Sequence, residues 1–229
     1  FTGLANLNAV KTYNIKAYTT YASDGANFND TASKSVQNEP NYTLTYTEGF
    51  ENANHNWRAT GLNRSWQRGA PNNAIISSAA GGANAYVTNL NGPYNNNEFS
   101  YLTSPCLDFG SSTTDPILSF SLIHQFENGF DFIYIDYSID NGLTWNRLGA
   151  HPTFVPQNWY NDPSNQRWTG QSNGWIQVEN ALNNLAGERQ VKLRFGIITD
   201  GSTNLEGAGI DNISIRERQN VDVSLNGIL

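Results

Sequence analysis

Aromatic and amide side chains are concentrated in one segment, which is the clearest candidate for ligand chemistry in the chain. Residues 158–175 contain three Trp and one Tyr among Asn, Gln and Ser. Sugar C–H faces stack on exposed aromatic rings while amides hydrogen-bond to hydroxyl groups, so such a segment can form a glycan-binding platform. Trp159, Tyr160 and Trp168 are the candidates, because Trp175 starts an alternating run typical of a core strand. The alternative is a loop that folds over the domain on its own rings.

Motifs for catalysis are missing from the sequence. The three His residues, His55, His124 and His151, form no His-x-x-x-His or His-Glu pair, and there is no Gly-x-Ser-x-Gly elbow. Glu127 and Asp131 can in principle serve a glycosidase, since the distance between two carboxyl groups decides that chemistry, but nothing in the sequence favours it. We expect His124 to be a satisfied core or concave-face residue. The sequence therefore predicts a non-catalytic chain and leaves the activity of its parent protein open.

Composition indicates an all-β secreted or cell-surface protein. Only 14% of the 229 residues are charged, whereas aromatic residues reach 12%. The net charge of −7 disfavours nucleic acid or an anionic membrane as a partner. No run approaches the roughly 18 apolar residues of a membrane helix, so membrane insertion is not expected. Cys106 is the single cysteine and lies between apolar residues, which predicts a buried thiol and excludes an internal disulfide.

Strands are predicted wherever apolar and polar residues alternate. The turn signals between them include Asp140-Asn-Gly142, where Asp136 and Asp140 are expected to cap a hairpin. Many short strands with such turns are typical of a β-sandwich. The clearest alternating runs are 10–21, 117–123, 132–138, 190–198 and 210–215.

The two ends of the chain differ from its middle. Residues 1–40 resemble the last strands of an Ig-like module of the kind found in large bacterial surface proteins, and 218–229 resemble the first strand of a following module. Residues 41–217 form the predicted main domain. Since two strands alone are marginal in water, we expect the ends to pair with each other, with the main domain or with a neighbouring chain. The sequence thus predicts part of a multidomain polypeptide, with neighbouring domains as partners.

Four motifs occur in order along the main domain. They are Glu48-Gly-Phe-Glu51 followed by Trp57, the strand–turn–strand segment 131–145, the segment 191–195 followed by Asp200, and the closing segment 206–215. Together they resemble the MAM-like jelly roll, including the related adhesin domains in surface proteins of Bacteroidetes. The resemblance implies an all-β jelly-roll β-sandwich. It leaves function open, because this fold hosts adhesins, glycan-binding modules and accessory domains of hydrolases.

The same resemblance implies a structural calcium ion with Asp211 and one of Glu48 or Glu51 as ligands. Calcium takes about six to eight oxygen ligands, and neighbouring loops can complete the set. Glu48 and Glu51 are three residues apart, so on a strand they point to opposite faces. The alternative is that these carboxylates accept backbone N–H bonds at strand ends. A second oxygen-rich group lacks the glycine and distal Glu of an EF-hand loop and is expected to be a turn; it comprises Asp24, Asn27, Asn29 and Asp30.

The sequence therefore predicts a calcium-stabilised adhesion or binding module of a secreted or cell-surface bacterial protein. Its ligand is expected to be a glycan or a surface protein. One alternative is an accessory, substrate-targeting domain of a secreted protease or glycoside hydrolase. Another is a structural spacer in a surface fibre, which requires that Trp159 and Trp168 be buried and that no loop form a groove.

Overall fold

The computed structural model describes residues 6–7, 9–20, 23, 25 and 30–218. The chain divides into two compact units, Phe1–Asn41 and Tyr42–Leu229. Residues 219–229, and thus nearly all of the predicted last strand, lie outside the described part, as do Asp24, Asn27 and Asn29. The assignment of both flanking segments to neighbouring modules therefore stays a prediction.

The first unit contains one antiparallel hairpin. Strand β1 (Thr12–Tyr18) pairs with β2 (Thr31–Gln37), and the register runs from Thr12 opposite Gln37 to Tyr18 opposite Thr31. Most side chains of both strands are exposed. The predicted run 10–21 thus forms a strand, but a two-stranded sheet buries little apolar surface of its own.

The second unit contains two six-stranded sheets. The first sheet has the order β14 (Ile176–Ala181), β10 (Ile117–Gln125), β16 (Gly207–Arg216), β7 (Ala85–Thr88) and β6 (Trp66–Gly69), with β4 (Tyr46–Glu48) also paired to β16. The second sheet has the order β12 (Asn146–Arg147), β11 (Phe132–Ser138), β15 (Lys192–Ile198), β8 (Phe99–Thr103) and β5 (Arg58–Leu62), with β13 (Trp168–Thr169) also paired to β11. A small sheet joins β3 (Asn41–Thr43) to β9 (Cys106–Asp108).

The two large sheets form a sandwich with a shared core. Phe120 of β10 and Phe195 of β15 meet between them, with ring centroids 5.0 Å apart. The chain crosses from one sheet to the other between β7 and β8, between β10 and β11, and again between β14, β15 and β16. Repeated crossing of this kind is the jelly-roll arrangement. The predicted fold class, an all-β jelly-roll sandwich, is confirmed. The regular secondary structure of the described residues consists of strands alone.

Alternation along the sequence explains which faces are buried. The predicted strand 132–138 coincides with β11, while 117–123 and 210–215 lie within β10 and β16. In β11 and β15 alternate residues, among them Ile133, Ile135, Phe195 and Ile197, belong to the buried core. Cys106 is buried, as predicted. No helix among the described residues is long and apolar enough to cross a membrane.

The turn after β11 has the conformation that its sequence predicts. Asn141 and Gly142 have φ values of 58° and 91°, and an Asn-Gly pair adopts this left-handed region most readily. Asp140 caps the turn, because its carboxylate accepts hydrogen bonds from Thr144 N–H at 2.9 Å and from Thr144 Oγ1 at 2.6 Å. Asp136 is not a cap: it lies inside β11 and pairs with two arginines.

Candidate ligand-binding site

The three candidate aromatic residues pack against one another. Their ring centroids are 4.9 Å apart for Trp159 and Tyr160, 4.4 Å for Tyr160 and Trp168, and 5.4 Å for Trp159 and Trp168. All three side chains are buried, and Tyr160 donates its hydroxyl hydrogen to Leu148 O at 2.8 Å. The rings therefore do not form an open stacking platform, and the loop folds over the sandwich on them.

The same loop nevertheless forms a pocket of about 430 Å³. This volume lies within the range of roughly 300–1,000 Å³ that small-molecule sites occupy. The spacer hypothesis requires that Trp159 and Trp168 be buried and that no loop form a groove. The two tryptophans are buried, but the loop does form a pocket. The pocket is lined by His124, Pro156, Asn158, Trp159, Tyr160, Asn161, Trp168, Gln171, Ser172 and Ile176.

Trp159, which lines this pocket, carries an unpaired donor. Its side chain is 9% exposed, and its indole Nε1 is buried without a hydrogen-bond partner. The neighbouring Trp168 differs, because its Nε1 donates to Asn158 O at 2.9 Å. Leaving a buried donor unsatisfied costs about 1–3 kcal/mol, so such groups are uncommon in folded proteins.

His124 lies in β10 and contributes an uncharged imidazole to the pocket. It is 2% exposed, and burial lowers its pKa, which keeps the ring neutral. Its Nδ1 lies 3.0 Å from Gly170 O, so Nδ1–H donates to that carbonyl and Nε2 is the acceptor. Ser172 Oγ donates to Gly174 O at 2.9 Å and accepts from the backbone N–H of His124. Ser172 and the His124 ring therefore do not form a nucleophile–base pair.

The predicted calcium ligands lie near one loop. Asp211 Oδ2 accepts N–H bonds from Ala80 and Gly81 at 3.0 and 2.9 Å. Glu51 Oε1 accepts from Ala83 and Asn84 at 2.9 and 2.8 Å.

The charges of these carboxylates influence one another. Burial raises the pKa of Glu48, with a further contribution from the charge of Asp211, while backbone hydrogen bonding from Asn84 lowers the pKa of Glu51. Glu48 Oε1 also accepts from Phe50 N–H at 2.6 Å. These carboxylates accept backbone N–H bonds, which is the alternative that the sequence leaves open, and their lone pairs are not all used. Their role as calcium ligands stays a prediction.

A second acidic group has the closer spacing that a cation requires. Among the described residues, Glu127, Asp131 and Asp200 bring ligand oxygens within 4.8 Å of one another. Asp131 is fully buried, and burial raises its pKa, with the charge of Asp200 adding to the effect. Glu127 Oε2 is buried without a hydrogen-bond partner. This donor set fits a hard divalent cation such as Ca²⁺.

The sequence contains a signal for this group. Asp131 directly precedes β11, and Asp200 follows β15 by two residues. These strands are antiparallel neighbours with Phe132 opposite Ile198, so the two aspartates come to the same end of the pair. The positions of the two aspartates at strand ends can be read from the sequence. That they lie close together follows only once β11 is known to pair with β15.

Comparison with known proteins shows limited similarity. No protein-family profile matches the chain. A stretch of 183 residues, 79% of the chain, is 28% identical to part of bacillopeptidase F from Bacillus subtilis (strain 168), and it covers 11% of that protein's length.

Two solved structures are similar in outline. The K1 cleaved adhesin domain of Lys-gingipain from Porphyromonas gingivalis W83 aligns with 77% of this chain and 99% of its own, at 18% identity and a TM-score of 0.47. The C-terminal family 22 carbohydrate-binding module of Clostridium thermocellum Xyn10B aligns with 75% and 92%, at 12% identity and a TM-score of 0.43. Neither the comparisons nor the structure confirm the MAM-like assignment.

Proposed function

We propose that the second unit is a non-catalytic binding module of a secreted or cell-surface bacterial protein, and that it recognises a neutral glycan. The observation that carries this proposal is a pocket of aromatic and amide side chains lined by Trp159, whose indole N–H has no hydrogen-bond partner. A sugar hydroxyl can accept that N–H bond and can donate to the neutral His124 ring. Because the rings are buried, recognition depends on hydrogen bonds at the pocket more than on stacking.

The test is a pair of ring-conserving substitutions. Trp159→Phe removes the indole N–H and keeps an aromatic ring. Trp66→Phe is the matched control, because Trp66 Nε1 is also buried without a hydrogen-bond partner but does not line the pocket. We expect the parent to bind members of a neutral glycan array and Trp159→Phe to bind them about five- to tenfold more weakly by calorimetry.

Trp66→Phe should retain the parental affinity. If no neutral glycan binds, or if the two variants behave alike, the pocket is not a glycan site. Adhesion to a surface protein or a spacer role then becomes the better interpretation.

An accessory role in a secreted protease is the second candidate. The similarity to bacillopeptidase F over 79% of the chain favours it, although the match covers only 11% of that protein. In this role the module directs a catalytic domain elsewhere in the polypeptide to its substrate. Full-length protein with and without 42–217 should then have equal activity on a small peptide and unequal activity on an immobilised substrate. A full-length protein without peptidase activity excludes this role.

We further propose a structural calcium ion. Two acidic sets are candidates: the one implied by the family resemblance, Asp211 with Glu48 or Glu51, and the one with the tighter spacing, Glu127, Asp131 and Asp200. Glu48 and Asp211 lie in strands of the first sheet, whereas Glu127 follows β10 of the first sheet and Asp131 and Asp200 adjoin β11 and β15 of the second. An ion at either set would hold the adjoining loops together. The cation would neutralise repulsion between carboxylates that burial otherwise makes unfavourable.

A further inference from the structure

The outward face of the second sheet carries a row of apolar side chains. Register places Leu62, Phe99, Ile198 and Phe132 opposite one another on β5, β8, β15 and β11. Directly opposed residues share a face, and on this face Phe132 and Ile198 are half-buried and pack against the core, while the other two residues are exposed. Leu62 is 63% exposed and Phe99 45% exposed. The row is about 14 Å long, since it crosses three strand spacings.

A second row on the same face is cationic. It runs across five strands through Arg58, Thr103, Arg194, Asp136 and Arg147. Three arginines and one aspartate leave it with a net charge of +2, although the whole chain has a net charge of −7. Arg58, Arg194 and Arg147 lie on alternate strands, which places them about 9.6 Å apart.

Two of these arginines are held in fixed orientations. Both bind Asp136, Arg147 through Nε at 2.9 Å and Arg194 through Nη2 at 2.9 Å. The Arg147 guanidinium lies 3.6 Å from the ring centroid of Tyr134, and that of Arg194 lies 3.8 Å from the ring centroid of Tyr101. Planar guanidinium groups stacked on rings lose little freedom when they bind an anion. Arg194 uses Nε and Nη2 on Asp136, and Arg147 uses Nε on Asp136 and Nη1 on Gln166 O, so a ligand carboxylate would bind their remaining N–H donors.

We propose that this face binds an anionic polysaccharide whose sugar rings carry carboxylates. The apolar row accommodates sugar C–H faces, and the regularly spaced arginines pair with carboxylates along the polymer. Nucleic acid fits less well, because its binding commonly neutralises about six to ten phosphates and this row supplies a net charge of +2. The face is separate from the pocket around Trp159, so the inference does not rest on the neutral-glycan proposal.

Affinity electrophoresis in gels with polygalacturonate tests the inference, with neutral xylan as the comparison polymer. We expect polygalacturonate to retard the parent and about 1 M salt to abolish that retardation, because charges are then screened within about 3 Å. Salt should leave any retardation by neutral xylan unchanged. Arg58→Gln and Phe99→Ala should each weaken polygalacturonate binding about tenfold.

Control variants distinguish this face from general charge effects. Arg216→Gln removes a positive charge from the first sheet, and Val155→Ala trims a side chain that is 91% exposed elsewhere. Both should bind polygalacturonate like the parent, as should Trp159→Phe, which tests the pocket alone. Thermal melts establish that each variant is folded.

Three results would overturn the proposal. The first is a parent that polygalacturonate does not retard. The second is equal weakening by Arg58→Gln and Arg216→Gln, which would indicate non-specific attraction. The third is equally tight binding of poly-glutamate, which would identify an acidic polypeptide as the partner in place of a polysaccharide.

Discussion

Individual polar residues in this protein differ in how far their hydrogen bonding is satisfied. Trp159 Nε1 and Glu127 Oε2 are buried and unpaired, whereas Asp140 accepts bonds from Ser138 and Thr144. Unpaired buried groups are costly and identify positions where a ligand or ion can contribute. Asp140 is the opposite case, a carboxylate whose bonds stabilise a turn and leave nothing for a ligand.

The Asp140 turn makes the stability of the protein pH-dependent. Hydrogen bonds from the Thr144 side chain, and then from its backbone, lower the pKa of Asp140 to about 2 from 3.8. A carboxyl group whose pKa is lower in the folded than in the unfolded chain stabilises the fold at pH values above the unfolded-state pKa. This contribution is lost as the pH falls from about 4 to 2. We expect Asp140→Asn to unfold at lower urea concentration than the parent at pH 6, with the gap shrinking at pH 3.

The measurement is the urea midpoint of both proteins at pH 6, 4 and 3. A gap that stays constant over this range would show that the charge of Asp140 contributes nothing and that only the turn geometry matters.

Among the strands, β15 depends on one small residue for the packing of the outward face. Gly196 lies opposite Tyr134 and Tyr101 on the neighbouring strands. A Cβ added at Gly196 would lie 2.4 Å from Tyr134 Cζ, so the ring lies across the glycine. Tyr134 is in turn covered by Arg147. The absence of a side chain on β15 thus orients an arginine two strands away.

Gly196→Ala should therefore destabilise the fold. The new methyl group forces the buried Tyr134 ring to shift, and overpacking of this kind costs about 1–3 kcal/mol in the free energy of unfolding. Gly201→Ala is the control, because its Cβ would meet nothing nearer than Asn97 at 3.7 Å. Urea unfolding of both variants tests this, and equal stability would mean that Tyr134 moves away without cost.

For the whole molecule, the distribution of acidic groups determines where a calcium ion could bind and stabilise the fold. Asp211 and Glu51 accept hydrogen bonds from backbone N–H groups. In the more closely spaced set, Asp131 accepts from Tyr94 and Asp200 accepts from Ser202, whereas Glu127 Oε2 is buried without a partner. A bound ion stabilises the folded chain by mass action, with about 2.7 kcal/mol at a concentration 100 times the dissociation constant.

Removal of calcium should lower the melting temperature. For a domain of this size, that binding energy corresponds to about 5–10 °C. We expect EDTA to produce this fall and added Ca²⁺ to reverse it. Asp131→Asn and Asp211→Asn then identify the site, because the variant that removes a ligand no longer responds to either reagent. A parent with the same melting temperature in EDTA and in Ca²⁺ would exclude a structural ion.

The sequence by itself determined the class of fold and several of the longer strands. The alternating run 132–138 coincides with β11, because period two is a local property that survives into the folded state. The Asn141–Gly142 turn is equally local, since it depends on the conformational preferences of two residues.

Only the tertiary structure decided which distant residues meet. The burial of Trp159 and Trp168, the pocket beside His124, and the meeting of Asp131 with Asp200 depend on strand register and loop packing between segments far apart in the chain. A shift of one residue in register moves every side chain of a strand to the other face, so composition and spacing cannot specify such contacts. The same reason explains the arginine row, whose members come from five different strands and have no common motif in the sequence.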